Sequence, residues 1–174
     1  MNQKKFAVFG AIACSIGCLF IILKFSGFPA TAAVGLNWKP ATTIVSEEKL
    51  SQLIEAHSDF LEPNEYDSIL SMVLACEEND LVLVDFNSEL LCGRAGCLYV
   101  GLRRSTGEEI LSSYLTVALP PNEPVIETVD RGYTLPCIII IRDVNEIDRT
   151  VTKSTFCYQS VDWVLENTEQ TVIE

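Results

Sequence analysis

Two cysteines five positions apart place the strongest constraint on how this chain folds. Cys92 and Cys97 enclose four residues that begin with Gly93 and end with Gly96. A disulfide needs the two Cα atoms within about 4.4–6.8 Å, whereas five extended steps would separate them by roughly 17 Å. The chain must therefore double back, and glycines allow the positive φ angles of such a turn. Apolar flanks predict a hairpin with this turn at its tip, and closing so small a loop stabilises by about 2 kcal/mol.

The register of this hairpin predicts an irregularity in its first strand. If the two cysteines lie opposite each other, continued pairing places Phe86 opposite Arg103. That register mixes apolar and polar side chains on each face, which a half-buried strand avoids. We therefore predict a β-bulge near Asn87 and Ser88, because a bulge shifts the register and restores the alternation.

The first residues carry the pattern of an export segment. Lys4 and Lys5 precede residues 6–23, a run of 18 residues without a charge, and residues 30–32 form a small-x-small sequence of the kind that a signal peptidase cuts. The run exceeds the usual apolar core of a signal peptide and is near the lower limit for a bilayer span. Residues 1–32 are therefore predicted to be a cleaved signal peptide or a retained transmembrane helix, with a buried core helix as a third interpretation.

Either export interpretation places the rest of the chain outside the cytoplasm. The predicted location is the cell envelope: the protein is secreted into the periplasm, or it is anchored in the membrane and faces outward. Contact with the membrane would then occur only through residues 6–23, if they are not cleaved. Disulfides persist in that compartment, which favours a disulfide bond between Cys92 and Cys97.

Three further cysteines lie beyond the export segment: Cys76, Cys137 and Cys157. With the first pair they make five, so one cysteine has no partner within the chain. We favour a disulfide between Cys137 and Cys157, worth roughly 3 kcal/mol, although other connectivities stay open. A hairpin in that register sets Arg142 opposite Thr152 and leaves a short polar loop. Cys76 is then the odd thiol, and a structural role in the core is its favoured interpretation.

Beyond the export segment we predict a linker followed by one domain. Residues 33–45 contain Pro40 and show little periodicity, which is typical of a linker, and residues 46–174 form a single domain. Ser46 is a favourable N-cap for one helical pattern, and Pro63 opens a second. The domain is therefore predicted to begin with a pair of helices.

From Asp80 onward the periodicity changes from helical spacing to alternation, which is typical of strands. Residues 109–115 fit a helix cap as well as a strand, and we favour the strand. The predicted fold class is α+β: an N-terminal apolar signal or anchor helix, a helical pair, and a mainly antiparallel sheet of about five or six strands. The strand candidates are residues 82–87, 98–102, 109–115, 125–129, 138–141, 150–158 and 161–165.

The charge distribution argues against nucleic acid as a partner. The chain of 174 residues has a net charge of −12, and all 24 acidic residues but only 9 of the 12 basic residues lie beyond residue 33. The exported part therefore carries −15, which repels nucleic-acid phosphates and anionic lipid headgroups. Hydrophobic residues make up 48% of the chain, enough for a packed core, so intrinsic disorder is not expected.

The sequence lacks the patterns of the common catalytic and metal sites. The C-x-x-x-x-C spacing differs from the C-x-x-C of thiol redox centres, and the single histidine, His57, excludes a histidine-rich zinc site. Asp85 and Asn87 begin an alternating set of oxygen ligands, but an EF-hand would need glycine where Leu90 stands. We therefore predict no cofactor, no metal and no catalytic residue, while a glycosidase-like carboxylate pair stays open.

The stretch from Asp85 to Val100 resembles small exported bacterial proteins of unknown function. Those proteins carry a D-x-N strand that leads into a C-G-x-x-G-C cystine hairpin, and Asp85, Asn87 and residues 92–97 match this pattern. The similarity covers residues 80–104 well and residues 135–137 and 156–158 loosely. Relatives often have glycines directly after the D-x-N, and this chain departs from them by having none there. The resemblance implies export and the cystine hairpin, and it implies no activity.

The favoured function is that of a non-enzymatic, disulfide-stapled domain that binds another protein of the envelope. Arg94 lies at the tip of the hairpin on an otherwise acidic domain, and Tyr99 follows in the returning strand, so these two residues are the candidate contacts. Two alternatives stay open: a small envelope enzyme that uses carboxylates or a thiol, and an inhibitor of a secreted hydrolase.

Overall fold

The computed structural model of the chain describes residues 35–58, 63–115, 124–145 and 147–172. The predicted signal or anchor helix, residues 1–32, lies outside these ranges. Within them, no helix has the length and the apolar character needed to cross a membrane.

Two α-helices and ten strands make up most of the regular structure in the described residues. Helix α1 is Glu47–His57 and α2 is Pro63–Leu70. The side chain of Ser46 caps α1 by accepting a hydrogen bond from the Lys49 N–H. The strands are β1 (Lys39–Pro40), β2 (Leu74–Glu78), β3 (Leu81–Asp85), β4 (Cys92–Gly93), β5 (Gly96–Arg103), β6 (Glu109–Leu115), β7 (Ile126–Val129), β8 (Cys137–Asn145), β9 (Thr150–Gln159) and β10 (Asp162–Val172).

The strands form two antiparallel sheets, so the predicted fold class is wrong. The sequence predicts an α+β domain with one sheet of five or six strands, whereas the described residues form a six-stranded sheet, β1–β6, and a four-stranded sheet, β7–β10. The physical reason is that alternation identifies a strand but not its neighbours. Strands β7 to β10 pair only with one another in the described chain, through local antiparallel connections.

Three layers result, because the six-stranded sheet is covered on both faces. One face packs against the two helices, with Val82 and Val84 of β3 in the same buried cluster as Leu50 and Ile54 of α1. The opposite face packs against the four-stranded sheet. That second core contains Leu81, Leu83, Tyr99, Leu115, Ile126, Ile138 and Ile140. Strand β3 is thus buried on both sides, which accounts for its almost continuous apolar sequence.

Strand β5 is the centre of the six-stranded sheet. Strand β6 pairs with residues 97–102 of β5 and occupies one of its sides. Strands β3 and β4 pair with β5 on the other side, and β2 and β1 extend the sheet beyond β3. This arrangement places the tip of the β4–β5 hairpin at one end of the sheet, beside the last residues of β6.

A disulfide joins Cys137 of β8 to Cys157 of β9, which is the second pair favoured by the sequence. Both cysteines are fully buried. The expected register holds from Ile138 to Ile141 and then shifts by one residue, so Asp143 rather than Arg142 lies opposite Thr152. The irregularity at Arg142 lets this exposed residue leave the ladder, and the strands continue to a turn at residues 147–149.

The segment 33–45, which the sequence predicts to be a linker, contributes to the fold from residue 35 onward. Strand β1 pairs with β2, and Ala41 is 1% exposed in the core beneath the helices. The ring of Trp38 packs edge-on against Tyr99, with centroids 6.3 Å apart. These contacts were hidden from the sequence analysis because each of them joins the segment to residues more than 30 positions away.

Candidate functional site

The two strands that pair with one side of β5 are separated by an excursion of the chain. Asp85, the last residue of β3, pairs with Tyr99 of β5. Cys92, the first residue of β4, pairs with Cys97 of β5. Only one residue of β5 lies between these pairs, whereas residues 86–91 lie between them on the other side. We call residues 86–91 the excursion. The predicted bulge falls inside it, but the departure from the ladder is larger than a bulge and ends in a 3₁₀ turn at residues 89–91.

Within the excursion, side-chain oxygens accept hydrogen bonds from backbone N–H groups, as carbonyl groups of a neighbouring strand do in the sheet. The Asp85 carboxylate accepts a hydrogen bond from the Asn87 N–H at 2.8 Å, and Asn87 adopts a positive φ of 39°. The Ser88 hydroxyl accepts from the Leu90 N–H at 3.3 Å. Asp, Asn and Ser stabilise such turns because their short side chains satisfy nearby backbone groups. The D-x-N-S sequence is therefore explained by backbone support rather than by cation ligation.

The excursion is fixed to the core by apolar side chains. Phe86 is completely buried, Leu91 is 5% exposed, and both belong to the cluster beneath the helices. Leu90 points the other way and is 50% exposed. A segment anchored in the core thus presents one large apolar side chain to the solvent, directly before the hairpin.

The hairpin tip carries the candidate residue Arg94 on a covalently closed turn. The disulfide joins Cys92 to Cys97, and Gly93 lies opposite Gly96, whose φ of 115° only glycine adopts without strain. Arg94 is exposed and has no ion pair with any described residue. The structure therefore places an unpaired cation on a short closed loop.

Beside the hairpin lies a cleft of about 640 Å³, which we call the hairpin cleft. At this end of the sheet Tyr114 of β6 is 45% exposed, although its partner Leu98 of β5 is buried beneath the helices. The described residues that line it are His57, Ser58, Glu65, Leu90, Leu91, Cys92, Gly93, Arg94, Ala95 and Tyr114.

The end of helix α1 is held to β6 at this cleft. His57 Nε2 lies 3.1 Å from Glu109 Oε1, and the side chains are 18% and 31% exposed. The Ser58 hydroxyl donates to the Ile54 carbonyl and is thereby engaged with its own helix. Among the described residues no hydrogen bond joins His57 to a serine, threonine or cysteine side chain, and its contact with Glu109 joins two elements of the fold.

Tyr99, the second candidate contact, lies inside the protein. Its side chain is 5% exposed, and its hydroxyl donates to Asp85 Oδ2 at 3.0 Å. Burial raises the pKa of Tyr99, with the Asp85 charge as a further cause. The expectation for Tyr99 is therefore corrected: it supports the end of β3 from within, because the hairpin turns this face of β5 toward the second sheet. Leu90 and Tyr114 line the hairpin cleft and are about half exposed, and no sequence pattern marks either of them as a contact.

Burial also raises the pKa of the Asp85 carboxyl, although hydrogen bonds from Asn87 and Tyr99 oppose the shift. The folded protein thus keeps this proton over a pH range in which the unfolded chain has lost it. The contribution of Asp85 to stability is then greatest below the ordinary aspartate pKa and is lost as the pH rises through the raised pKa.

Asp85→Asn tests this linkage. The amide can still accept from the Asn87 N–H and can donate to the Tyr99 hydroxyl oxygen, but it does not titrate. We expect the free energy of unfolding of the wild type, relative to the variant, to fall as the pH rises from the ordinary aspartate pKa through the raised pKa of Asp85. Urea unfolding of both proteins across this range measures it. A constant difference would show that folding does not perturb Asp85.

Cys76, the odd cysteine, is a buried thiol between the two sheets. Desolvation raises the pKa of this thiol to about 12, so almost none is thiolate at neutral pH. We expect iodoacetamide at about pH 8 to modify Cys76 about a thousandfold more slowly in the folded protein than in urea. Mass spectrometry of timed samples measures the rates, and equal rates would place the thiol at the surface.

Metal ligation is not supported at the acidic clusters. Cys137, Cys157 and Glu166 lie close enough to share an ion, but the two sulfurs are bonded to each other, which leaves one carboxylate. Asp143 and Asn145 repeat the D-x-N spacing, but the Asn145 side chain accepts hydrogen bonds from the Ile147 and Asp148 N–H groups and acts as a turn residue.

Comparison with protein-family models, with curated proteins and with solved structures finds no match for this chain. The case for a function therefore depends on the residues of the hairpin cleft and on the disulfides.

Proposed function

We propose that this protein is an exported domain of the cell envelope that binds a segment of another protein at the hairpin cleft. The observation that carries the proposal is the position of Arg94. It lies on a disulfide-closed turn, it has no ion pair within the part of the chain that the structure describes, and it stands beside Leu90 and Tyr114, whose large side chains are about half exposed.

Export is supported by two kinds of evidence. Both disulfides join cysteines that a reducing cytosol would keep as thiols. The N-terminal sequence, with Lys4 and Lys5 before the uncharged run of residues 6–23, has the order of charge and apolar chain that directs export. The proposal includes both fates of that run, cleavage as a signal peptide and retention as a membrane anchor. In both cases the domain lies on the outer side of the membrane.

Protein binding is supported by the chemistry of the cleft. Arg and Tyr are the residue types that most often dominate interfaces, and a preorganised loop loses little conformational entropy on binding. The cleft would take an extended segment that offers a carboxylate to Arg94 and an apolar side chain to Leu90 and Tyr114. Inhibition of a secreted hydrolase is the special case in which the bound partner is an enzyme.

A non-enzymatic role fits the described residues better than catalysis. Cys92 is bonded to Cys97 and the thiol of Cys76 is buried, so neither offers a nucleophile. Asp85 uses both carboxylate oxygens to support Asn87 and Tyr99. The thiols and the Asp85 carboxylate are thus engaged in structural roles.

Arg94→Glu provides the test. The tagged full chain is expressed in its own cells, cross-linked before lysis and purified, and the captured proteins are quantified. We expect at least one partner to fall by about tenfold or more, since a hot-spot arginine is replaced by a like charge in an acidic domain. Tyr114→Ala should reduce the same partner.

Arg131→Glu is the matched control, because Arg131 is also exposed and lies in a loop away from the cleft. It should leave the captured set unchanged. Identical captured sets for the wild type and Arg94→Glu would contradict the proposal. An equal loss with Arg131→Glu would attribute the effect to net charge and contradict it as well.

A further inference from the structure

Strand β10 is an unusually open edge of the four-stranded sheet. It runs for 11 residues, Asp162–Val172, whereas strands average about five or six residues. All of its residues are exposed except Trp163, which is half-buried. In the described chain it pairs only with β9, so its outer side presents a row of unpaired backbone N–H and C=O groups.

Among the described strands at the edges of the two sheets, β10 is the longest. Strand β1 has two residues and includes Pro40, and β7 has four residues. The carbonyl of Ile110 in β6 accepts a hydrogen bond from Trp163 Nε1 at 2.7 Å. Strand β10 contains no lysine and no proline, the residues that commonly prevent edge pairing.

The charge of β10 selects the kind of strand that can pair with it. It carries three acidic residues, Asp162, Glu166 and Glu169, and no basic residue. A second copy of the chain would bring three more carboxylates to the same edge, and like charges across a strand pair are destabilising. An extended segment with Lys or Arg at alternate positions would instead meet opposite charges.

Apolar side chains next to the acids add to this surface. Val164 is 43% exposed and Leu165 is 53% exposed, and adjacent strand residues point to opposite faces. We propose that β10 binds an extended basic segment of another protein by β-strand addition, at a surface separate from the hairpin cleft. Backbone hydrogen bonds would supply much of the affinity, and the acidic side chains would supply the preference for basic partners.

Peptides of about ten residues test this proposal against the full chain. One alternates valine with lysine, a second alternates valine with glutamate, and a third is the lysine peptide with N-methylated backbone amides that cannot donate. We expect only the first to bind, as measured by fluorescence anisotropy. Amide exchange within residues 162–172 should slow by about tenfold or more when it binds, while exchange in β6 stays unchanged.

Charge variants of the chain complete the test. Asp162→Asn, Glu166→Gln and Glu169→Gln together should weaken the lysine peptide by about tenfold, since three opposite charges are lost. The matched control removes three exposed acids of α1, at Glu47, Glu48 and Glu55, and should have little effect. Arg94→Glu should leave this binding intact, which separates the result from the hairpin cleft.

Three outcomes would overturn the proposal. They are equal binding of the N-methylated peptide, unchanged exchange in β10 at peptide saturation, and a concentration-dependent dimer in which β10 amides become protected without peptide. The last would make a second copy of the chain the occupant of this edge.

Discussion

Phe86→Ala is expected to lower the free energy of unfolding by about 3 to 5 kcal/mol, the usual cost of removing a buried phenyl ring. Phe86 is fully buried, and its N–H donates to the Leu98 carbonyl at the point where the chain leaves the β3–β5 ladder. Removing the ring creates a cavity between the sheet and the helices. It also releases the excursion that leads into the hairpin, so partner capture at the hairpin cleft should fall in parallel.

Phe86→Leu serves as the control for this prediction. Leucine keeps the apolar character and much of the volume, so we expect a loss below about 2 kcal/mol with the hairpin cleft retained. Urea unfolding at neutral pH measures both variants. A loss below about 1 kcal/mol for Phe86→Ala would mean that the excursion is not anchored in the core as described.

Replacing both Cys137 and Cys157 with alanine is the second large change, with an expected loss of about 3 kcal/mol or more. The bond closes a loop between cysteines 20 positions apart and so restricts the unfolded chain, and both side chains are fully buried. Urea unfolding with and without reductant measures it: with reductant the variant should lose only the smaller contribution of the Cys92–Cys97 bond, whereas the wild type should lose the contributions of both disulfides.

Replacing both Cys92 and Cys97 with alanine should affect stability less and partner capture more than the replacement of Cys137 and Cys157. Cys92 and Cys97 are only five positions apart, so the expected loss of stability is about 2 kcal/mol or less. The main effect should be on partner capture, because Arg94 would no longer be held on a closed turn. A larger loss of stability at this pair than at Cys137 and Cys157 would contradict the roles assigned to the two disulfides.

Local features of this fold were accessible from the sequence because they depend on neighbouring residues. The N-cap at Ser46, the turn enclosed by Gly93 and Gly96, and the strand at residues 109–115 each follow from a few adjacent side chains. The position of the irregularity near Asn87 followed from register alone. Its size did not, since it depends on Phe86 and Leu91 packing beneath helices distant in sequence.

The division into two sheets was not accessible from alternation. The pattern in β3 shows Val82 and Val84 on one face, and it does not reveal that Leu81 and Leu83 face a second sheet. The hairpin cleft was hidden for a similar reason. Its contact between His57 and Glu109 joins residues 52 positions apart, and the exposure of Tyr114 depends on how much of the sheet the helices, distant in sequence, cover.

Peptide mapping of the protein isolated without reductant from the cells that make it, after alkylation of free thiols, tests the central claim most directly. The account predicts recovery from the envelope fraction, one linked peptide pair containing Cys92 and Cys97, and a second containing Cys137 and Cys157. Cys76 would be the one cysteine beyond residue 33 that takes the label, and only after denaturation. Recovery from the cytosol with all five of these cysteines alkylated would contradict the account.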